Sequence, residues 1–215
     1  MRYLGTPSTP RIREAMRAGE LDTMTGPYQG NKLPDGVPWG GDNGKFGEDG
    51  PRADWLGPDK WIRWLARQAK RYSADLCRFA VAPDVPFSAA GTLAESLPHL
   101  ARIRDLGLPA AFAAQDGCDT LGIPWDEFDV LFLAGSTEWK VGEVARRLTG
   151  EAHELGKWVH MGRVNTKDRL TRARTFGCDS VDGTYLRFGP DTNLPILLGW
   201  LSEARRQPML FESAT

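Results

Sequence analysis

A series of short apolar runs in this chain end in residues that could do chemistry together: Asp42, Asp84, Gln115 with Asp116, Gly135, Met161 with Gly162, and Asp182. A carboxylate can attack the anomeric carbon of a sugar, displace a base and leave a covalent glycosyl-enzyme. A second carboxylate can move protons on the departing or arriving base. Asp182, closing Ser180-Val181-Asp182, is the candidate for the group that does the chemistry. A purine such as guanine offers N1–H and the 2-amino group as donors and O6 as acceptor. Asp accepts the first two, while a Gln side chain and a Gly backbone N–H donate to the third. Glycine also lets the backbone approach closely, and methionine can cover the flat face of a ring. Each Asp taken alone is an ordinary turn or helix-capping residue. Their recurrence at successive strand ends is what carries weight.

The elements that must position these residues follow from hydrophobic pattern and breakers. Strands are predicted over 2–5, 21–25, 37–41, 77–82, 110–114, 128–134, 158–161 and 180–182. Helices are predicted over 10–18, with Thr9 before it and Pro10 at its first position, then 59–72, 89–106, 138–155, 166–176 and 194–205. Residues 26–58 are rich in Gly, Pro, Asp and Asn, too long for an ordinary connection, and read as a functional loop region with Asp42 at a turn inside it. Strands apolar throughout, alternating with helices, imply a parallel sheet with helices outside it. Eight of them fit a single α/β domain over 1–215, a compact (β/α)8 barrel of TIM type. An open doubly wound sheet is the structural alternative. No G-x-G-x-x-G follows any strand, so its dinucleotide-binding form has no support.

Composition narrows the function classes less. Hydrophobic residues make up 41% and charged residues 26%, ordinary for a soluble protein. No apolar run reaches a membrane span, and Met1 to Thr6 lacks the apolar core of a signal peptide, so a cytoplasmic protein is expected. Cys77, Cys118 and Cys178 are far apart, which argues against disulfides and against zinc. The net charge of −1 hides a basic stretch over 145–174 that includes Arg163, Lys167, Arg169, Arg172 and Arg174. Such clusters can track a phosphate backbone, although a solvated helix face is the commoner reason for them.

The run Met161-Gly162, Lys167-Asp168-Arg169-Leu170 and Gly177-Cys178-Asp179-Ser180-Val181-Asp182 resembles the tRNA-guanine transglycosylase family, where an M-G strand end, a helix and a G-x-D-x-x-D segment share this spacing. Asp42-Asn43-Gly44-Lys45-Phe46 is similar to that family's D-S-G-G-F loop, Ala114-Gln115-Asp116-Gly117 to its V-Q-G-G, and Ala134-Gly135 to its G-G-L. The fuller resemblance is to shorter paralogues of phages and bacterial DNA-modification clusters, the DpdA-type deazaguanine DNA transglycosylases. They carry similar P-D-V, Q-D-G, G-S-x-x-W-K, H-M-G-R-V-N and D-S-V-D-G-T segments, and the likeness runs from about Gly40 to Trp200.

That resemblance implies Asp182 as nucleophile and Asp42 as general acid/base. It implies that Asp84, Gln115 and Gly135 recognise the base and that Met161, beside Gly162, packs on it. The cluster Arg163, Lys167, Arg169, Arg172 and Arg174, with Lys140, would grip phosphates. The partners implied are DNA and a free 7-deazaguanine base such as a 7-cyano form, with no metal and no organic cofactor. The chain lacks the C-x-C-x-x-C…H zinc subdomain of the tRNA enzymes, which favours DNA over tRNA. A target base must leave the stack to react, so flipping or a single strand is expected. The residues alone leave open a hydrolytic nucleosidase or glycosidase barrel, a non-catalytic nucleic-acid-binding relative, and the oligomeric state.

Overall fold

The structure is a computed structural model that describes residues 1–47 and 50–206. Ala110-Ala111-Phe112-Ala113-Ala114 and Val130-Leu131-Phe132-Leu133 have no polar side chain, so neither face of these segments can lie against water. A closed parallel barrel buries both faces. Its strands are β1 (Arg2–Gly5), β2 (Asp22–Thr25), β3 (Trp39–Gly41), β6 (Cys77–Val81), β7 (Ala110–Ala114), β8 (Val130–Leu133), β9 (Trp158–Met161) and β10 (Ser180–Asp182). Each pairs in parallel with the next, and β10 returns to β1. The chain is a (β/α)8 barrel, and closure excludes the open doubly wound sheet. Two further strands, β4 (Phe46–Gly47) and β5 (Gly50–Pro51), make a small antiparallel hairpin inside the long loop after β3.

The helices are α1 (Pro10–Arg17), α2 (Pro58–Tyr72), α3 (Ala89–Arg104), α4 (Cys118–Leu121), α5 (Thr137–Lys140), α6 (Glu143–Glu154), α7 (Lys167–Phe176) and α8 (Pro190–Arg206). Thr9 and Thr166 cap α1 and α7 by accepting the Ile12 and Arg169 N–H groups. The single helix expected over 138–155 is two helices. Gly142 takes an extended conformation before α6, and Ser136 starts the separate turn of α5. The last helix begins at Pro190, earlier than the 194 expected, and continues through Pro195. No helix among the described residues is long and apolar enough to cross a membrane.

Side-chain alternation divides the strands between two cores. Leu4, Met24, Phe79, Val81, Ala111, Ala113, Val130 and Phe132 fill the barrel interior. Tyr3, Trp39, Ala80, Phe112, Leu131, Leu133, Val159, Met161 and Val181 face the helices. Burying each large side chain contributes about 1.5–3 kcal/mol, so the two layers hold the strand ends rigidly. Gly40 faces the crowded interior: a Cβ there would lie 2.7 Å from Leu4 Cδ2 and 3.1 Å from Phe79 Cζ. At the N-terminal end buried Asp22 binds Arg2 at 2.5 Å and Arg78 at 3.1 Å.

Candidate active site

Asp182 ends β10 and is only partly exposed. Its Oδ1 accepts the Arg163 N–H at 3.2 Å and faces His160 Nε2 at 3.1 Å. The backbone is clasped as well, since Val164 N–H donates to the Asp182 carbonyl at 2.6 Å and Thr184 N–H to Asn165 Oδ1 at 2.7 Å. Oδ2 accepts no hydrogen bond among the described residues. One oxygen is thus held and the other is not.

The register Ser180↔His160 sets both side chains inside the barrel. Trp158 Nε1–H donates to Ser180 Oγ at 2.8 Å, and Ser180 Oγ lies 2.8 Å from His160 Nδ1. The indole can only donate, and the serine hydroxyl keeps its own proton to offer Nδ1; an Nε2–H facing Asp182 Oδ1, an acceptor, completes the chain. The imidazole is fully buried between Phe79 and Phe132, with ring centroids 4.7 and 4.6 Å away. His160 was absent from the residues expected at the site.

Asp42 follows β3, its N–H bound to the Thr25 carbonyl of β2 at 2.7 Å. Burial, and then the neighbouring carboxylates of Asp182 and Asp84, push its carboxyl up to about 7. Asp84 lies after β6 and is 8% exposed. Its Oδ1 accepts from Asn43 Nδ2 at 2.8 Å and its Oδ2 from Gln115 Nε2 at 2.7 Å. Burial raises the Asp84 carboxyl above the usual range, while Asn43, Lys45 and Gln115 pull the other way. Asn43, a second residue the sequence reading missed, is itself fixed by the Ala82 carbonyl at 2.9 Å. The three carboxylates of Asp42, Asp84 and Asp182 therefore share one electrostatic environment at the C-terminal mouth.

Several expected roles do not fit the geometry. Met161 is fully buried on the helix-facing side of β9, so it cannot cover a base at the mouth; its inward neighbours are His160 and Gly162. The Gly135 N–H is already bound to the Ala114 carbonyl at 3.1 Å and is not free to donate to O6. Gln115 is 2% exposed, with its oxygen on the Phe87 N–H at 3.0 Å and its amide on Asp84. Lys140 is 1% exposed and donates to the Gly162 carbonyl at 2.9 Å, so it grips no phosphate. Burial, and then Arg163, push its amine down to about 7.

The basic cluster is split between the loop before α7 and the two ends of that helix. Arg163 and Arg169 stay at the mouth, where Arg169 Nη1 donates to the Arg163 carbonyl at 3.3 Å. Arg163 Nη2 donates to the Ala134 and Gly135 carbonyls at 2.8 and 2.6 Å. Lys167 pairs with Glu203 of α8 at 2.6 Å. Arg172 lies against Phe176, and Arg174 donates to the Ala204 carbonyl beside the N-terminal amine of β1, at the far end of the barrel. A helix that returns from one face to the other cannot present all of its cations at the mouth. Among the described residues no group of His, Cys, Asp and Glu is arranged to hold a metal ion.

No protein-family model and no curated protein sequence matches the chain. Solved structures do match. A native KDPGal structure has a TM-score of 0.57 at 13% identity, covering 96% of this chain and 95% of that one. The Amycolatopsis orientalis BexX/CysO complex gives 0.56 at 15% identity, covering 99% and 94%. Tryptophan synthase from M. tuberculosis gives 0.52 at 16% identity, covering 96% and 91%. At such identities the likeness is one of fold, the (β/α)8 barrel. Function must be argued from the site.

Proposed function

We propose that this protein is a transglycosylase that exchanges guanine in DNA for a 7-deazaguanine base. The observation that supports it most is the division of labour between two carboxyls at one mouth. Asp182 is oriented by His160 and the Arg163 N–H, while Asp42 has its carboxyl pushed up to about 7 and so retains a proton near neutrality. A carboxyl that keeps its proton beside a second one held for attack is the pattern of an acid and a nucleophile. The order of motifs in the sequence supports the choice of base exchange among reactions open to such a pair.

In this reading Asp182 Oδ2 attacks C1′ of the target nucleotide. The C1′–N9 bond breaks, its electron pair leaves with guanine, and Asp42 supplies the proton that makes guanine a neutral leaving group. The covalent sugar ester is then attacked by N9 of the incoming base, which gives its N9 proton to Asp42 and displaces the Asp182 carboxylate. Protons balance over the cycle, and no redox step is needed. Asp84, held by Asn43 and Gln115, is the acceptor for the N1–H and amino edge of guanine. Arg163 and Arg169 supply positive charge beside it.

The test is incubation of the protein with DNA and labelled guanine, followed by nucleoside analysis. Uptake of label with no strand loss is expected, together with a denaturation-resistant protein–DNA adduct. Asp182→Asn is expected to lose both, with a fall of about 10⁴-fold or more in exchange. Base release that leaves an abasic site without uptake means a hydrolase. Retained exchange by Asp182→Asn removes the nucleophile.

A further inference from the structure

The exposed aromatic side chains of the described residues, Tyr28, Phe46, Phe87 and Phe188, all lie in loops that follow the C-terminal ends of strands. Each has a guanidinium over or beside its ring: Arg52 at 4.3 Å from Tyr28, Arg163 at 5.1 Å from Phe46 and 5.6 Å from Phe87, and Arg187 at 6.0 Å from Phe188. Scattered apolar exposure needs no explanation, but aromatic exposure confined to the mouth does.

Phe87 is the most constructed of them. Its φ of +64° is a left-handed conformation that disfavours a bulky aromatic residue, yet its ring stands 49% exposed. The backbone is fixed there because the Phe87 N–H donates to Gln115 Oε1, whose amide in turn holds Asp84. Phe46 meets the Phe87 ring edge-on, with centroids 5.9 Å apart and planes at 87°. Arg163, at φ +59°, is anchored by the Ala134 and Gly135 carbonyls so that its guanidinium lies by both rings. Fixed aromatic faces with a cation beside them form a surface for a flat, electron-rich ring attached to a phosphate.

We propose that Phe87, with Phe46 and Arg163, is a stacking platform for the base adjacent to the target nucleotide, and that the substrate is an unpaired DNA strand. The proposal rests on the base-exchange reading and names the substrate form that reading leaves open. Bases in a duplex are already stacked and show only their edges, so this rim has nothing to stack on unless the strand is open. The adjacent cations Arg163 and Arg169 complement a strand's phosphates.

The test uses the whole protein and fluorescence anisotropy, with a labelled single-stranded oligonucleotide containing one guanine and the same sequence as a duplex, at one salt concentration. The single strand is expected to bind more tightly. Phe87→Ala is expected to weaken single-strand binding about ten-fold, with Phe87→Trp restoring it and Phe87→Leu not. An abasic residue beside the guanine is expected to cost the wild type the same factor and Phe87→Ala nothing further. Circular dichroism establishes that each variant is folded. Equal binding of duplex and single strand, or wild-type binding by Phe87→Ala, overturns the platform even where Asp182-dependent exchange persists. If the wild type binds no oligonucleotide and shows no exchange, the base-exchange reading falls and the platform with it.

Discussion

His160 Nε2 stands 3.1 Å from Asp182 Oδ1, inside a barrel where the imidazole has no contact with solvent. The ring is held on its other side by Ser180 and flanked by Phe79 and Phe132, so it fixes one rotamer of the carboxylate. In the proposed reaction His160 is a positioning residue for Asp182: it holds Oδ1 and leaves Oδ2 to attack the sugar.

Removing that hold should slow chemistry more than binding. His160→Ala is expected to lower the exchange rate about 10²-fold through misplacement of the nucleophile, with little change in the affinity for DNA. The cavity also costs about 2–4 kcal/mol of stability, seen as a lower denaturant midpoint. His160→Gln, whose amide can still donate toward Oδ1, should recover part of the rate. A kcat equal to wild type in a folded His160→Ala protein would show that Asp182 is positioned by the Arg163 N–H alone.

Asp42 predicts opposite effects on activity and stability. With its carboxyl pushed up to about 7 from an ordinary 3.8, the proton donor is present below that pH and lost above it, so exchange should fall as pH rises through about 7. Between the two values the folded state holds a proton that the unfolded state has released, so stability declines across the same window as pH increases. Asp42→Asn removes both the donor and the buried charge. It should lose exchange by about 10²–10⁴-fold, yet melt at a higher temperature than wild type above pH 7, a gain on the order of a few kcal/mol. Thermal melts at acid and alkaline pH check the sign.

The division of α7 predicts which cations meet phosphate. Arg163→Ala and Arg169→Ala should each reduce the slope of log affinity against log salt by about one. Arg174→Ala, at the far end of the barrel, and Lys140→Met, buried against Gly162, should leave the slope unchanged. Salt titrations of oligonucleotide binding separate the two sets.

Much of the barrel was legible because strands such as β7 and β8 are short, apolar and bounded by breakers, and because Thr9 starts a helix as expected. The strand ends were legible for the same reason. What was not legible is facing. Met161 and His160 are neighbours at one strand end, and only the pairing of Ser180 with His160 and Val181 with Met161 decides which points into the barrel. Lys140 shows the same limit: on the single helix expected over 138–155 it reads as exposed, whereas it closes the separate turn α5 with its amine buried against the Gly162 carbonyl. Asn43 was given no role because its partner, Asp84, is 41 positions away.

The clasp over Asp182 supplies the last prediction. Gly183 follows Asp182 where the loop over 163–165 closes on it, and a Cβ at this position would run into Asn165 Oδ1 and lie 2.6 Å from the Val164 carbonyl oxygen. Backbone atoms cannot rotate away as a flexible side chain can. Gly183→Ala must therefore push the loop off Asp182, weakening the Val164 N–H bond to the Asp182 carbonyl and the Thr184 N–H bond to Asn165. The expected cost is about 1–3 kcal/mol in chemical denaturation, together with a fall in exchange rate near that of His160→Ala. Asn165→Ala removes the side chain but not the Val164 carbonyl, so in the double variant it should restore only part of the stability. Full recovery by Asn165→Ala would place the whole conflict on the side chain and free the backbone clasp from any part in holding Asp182.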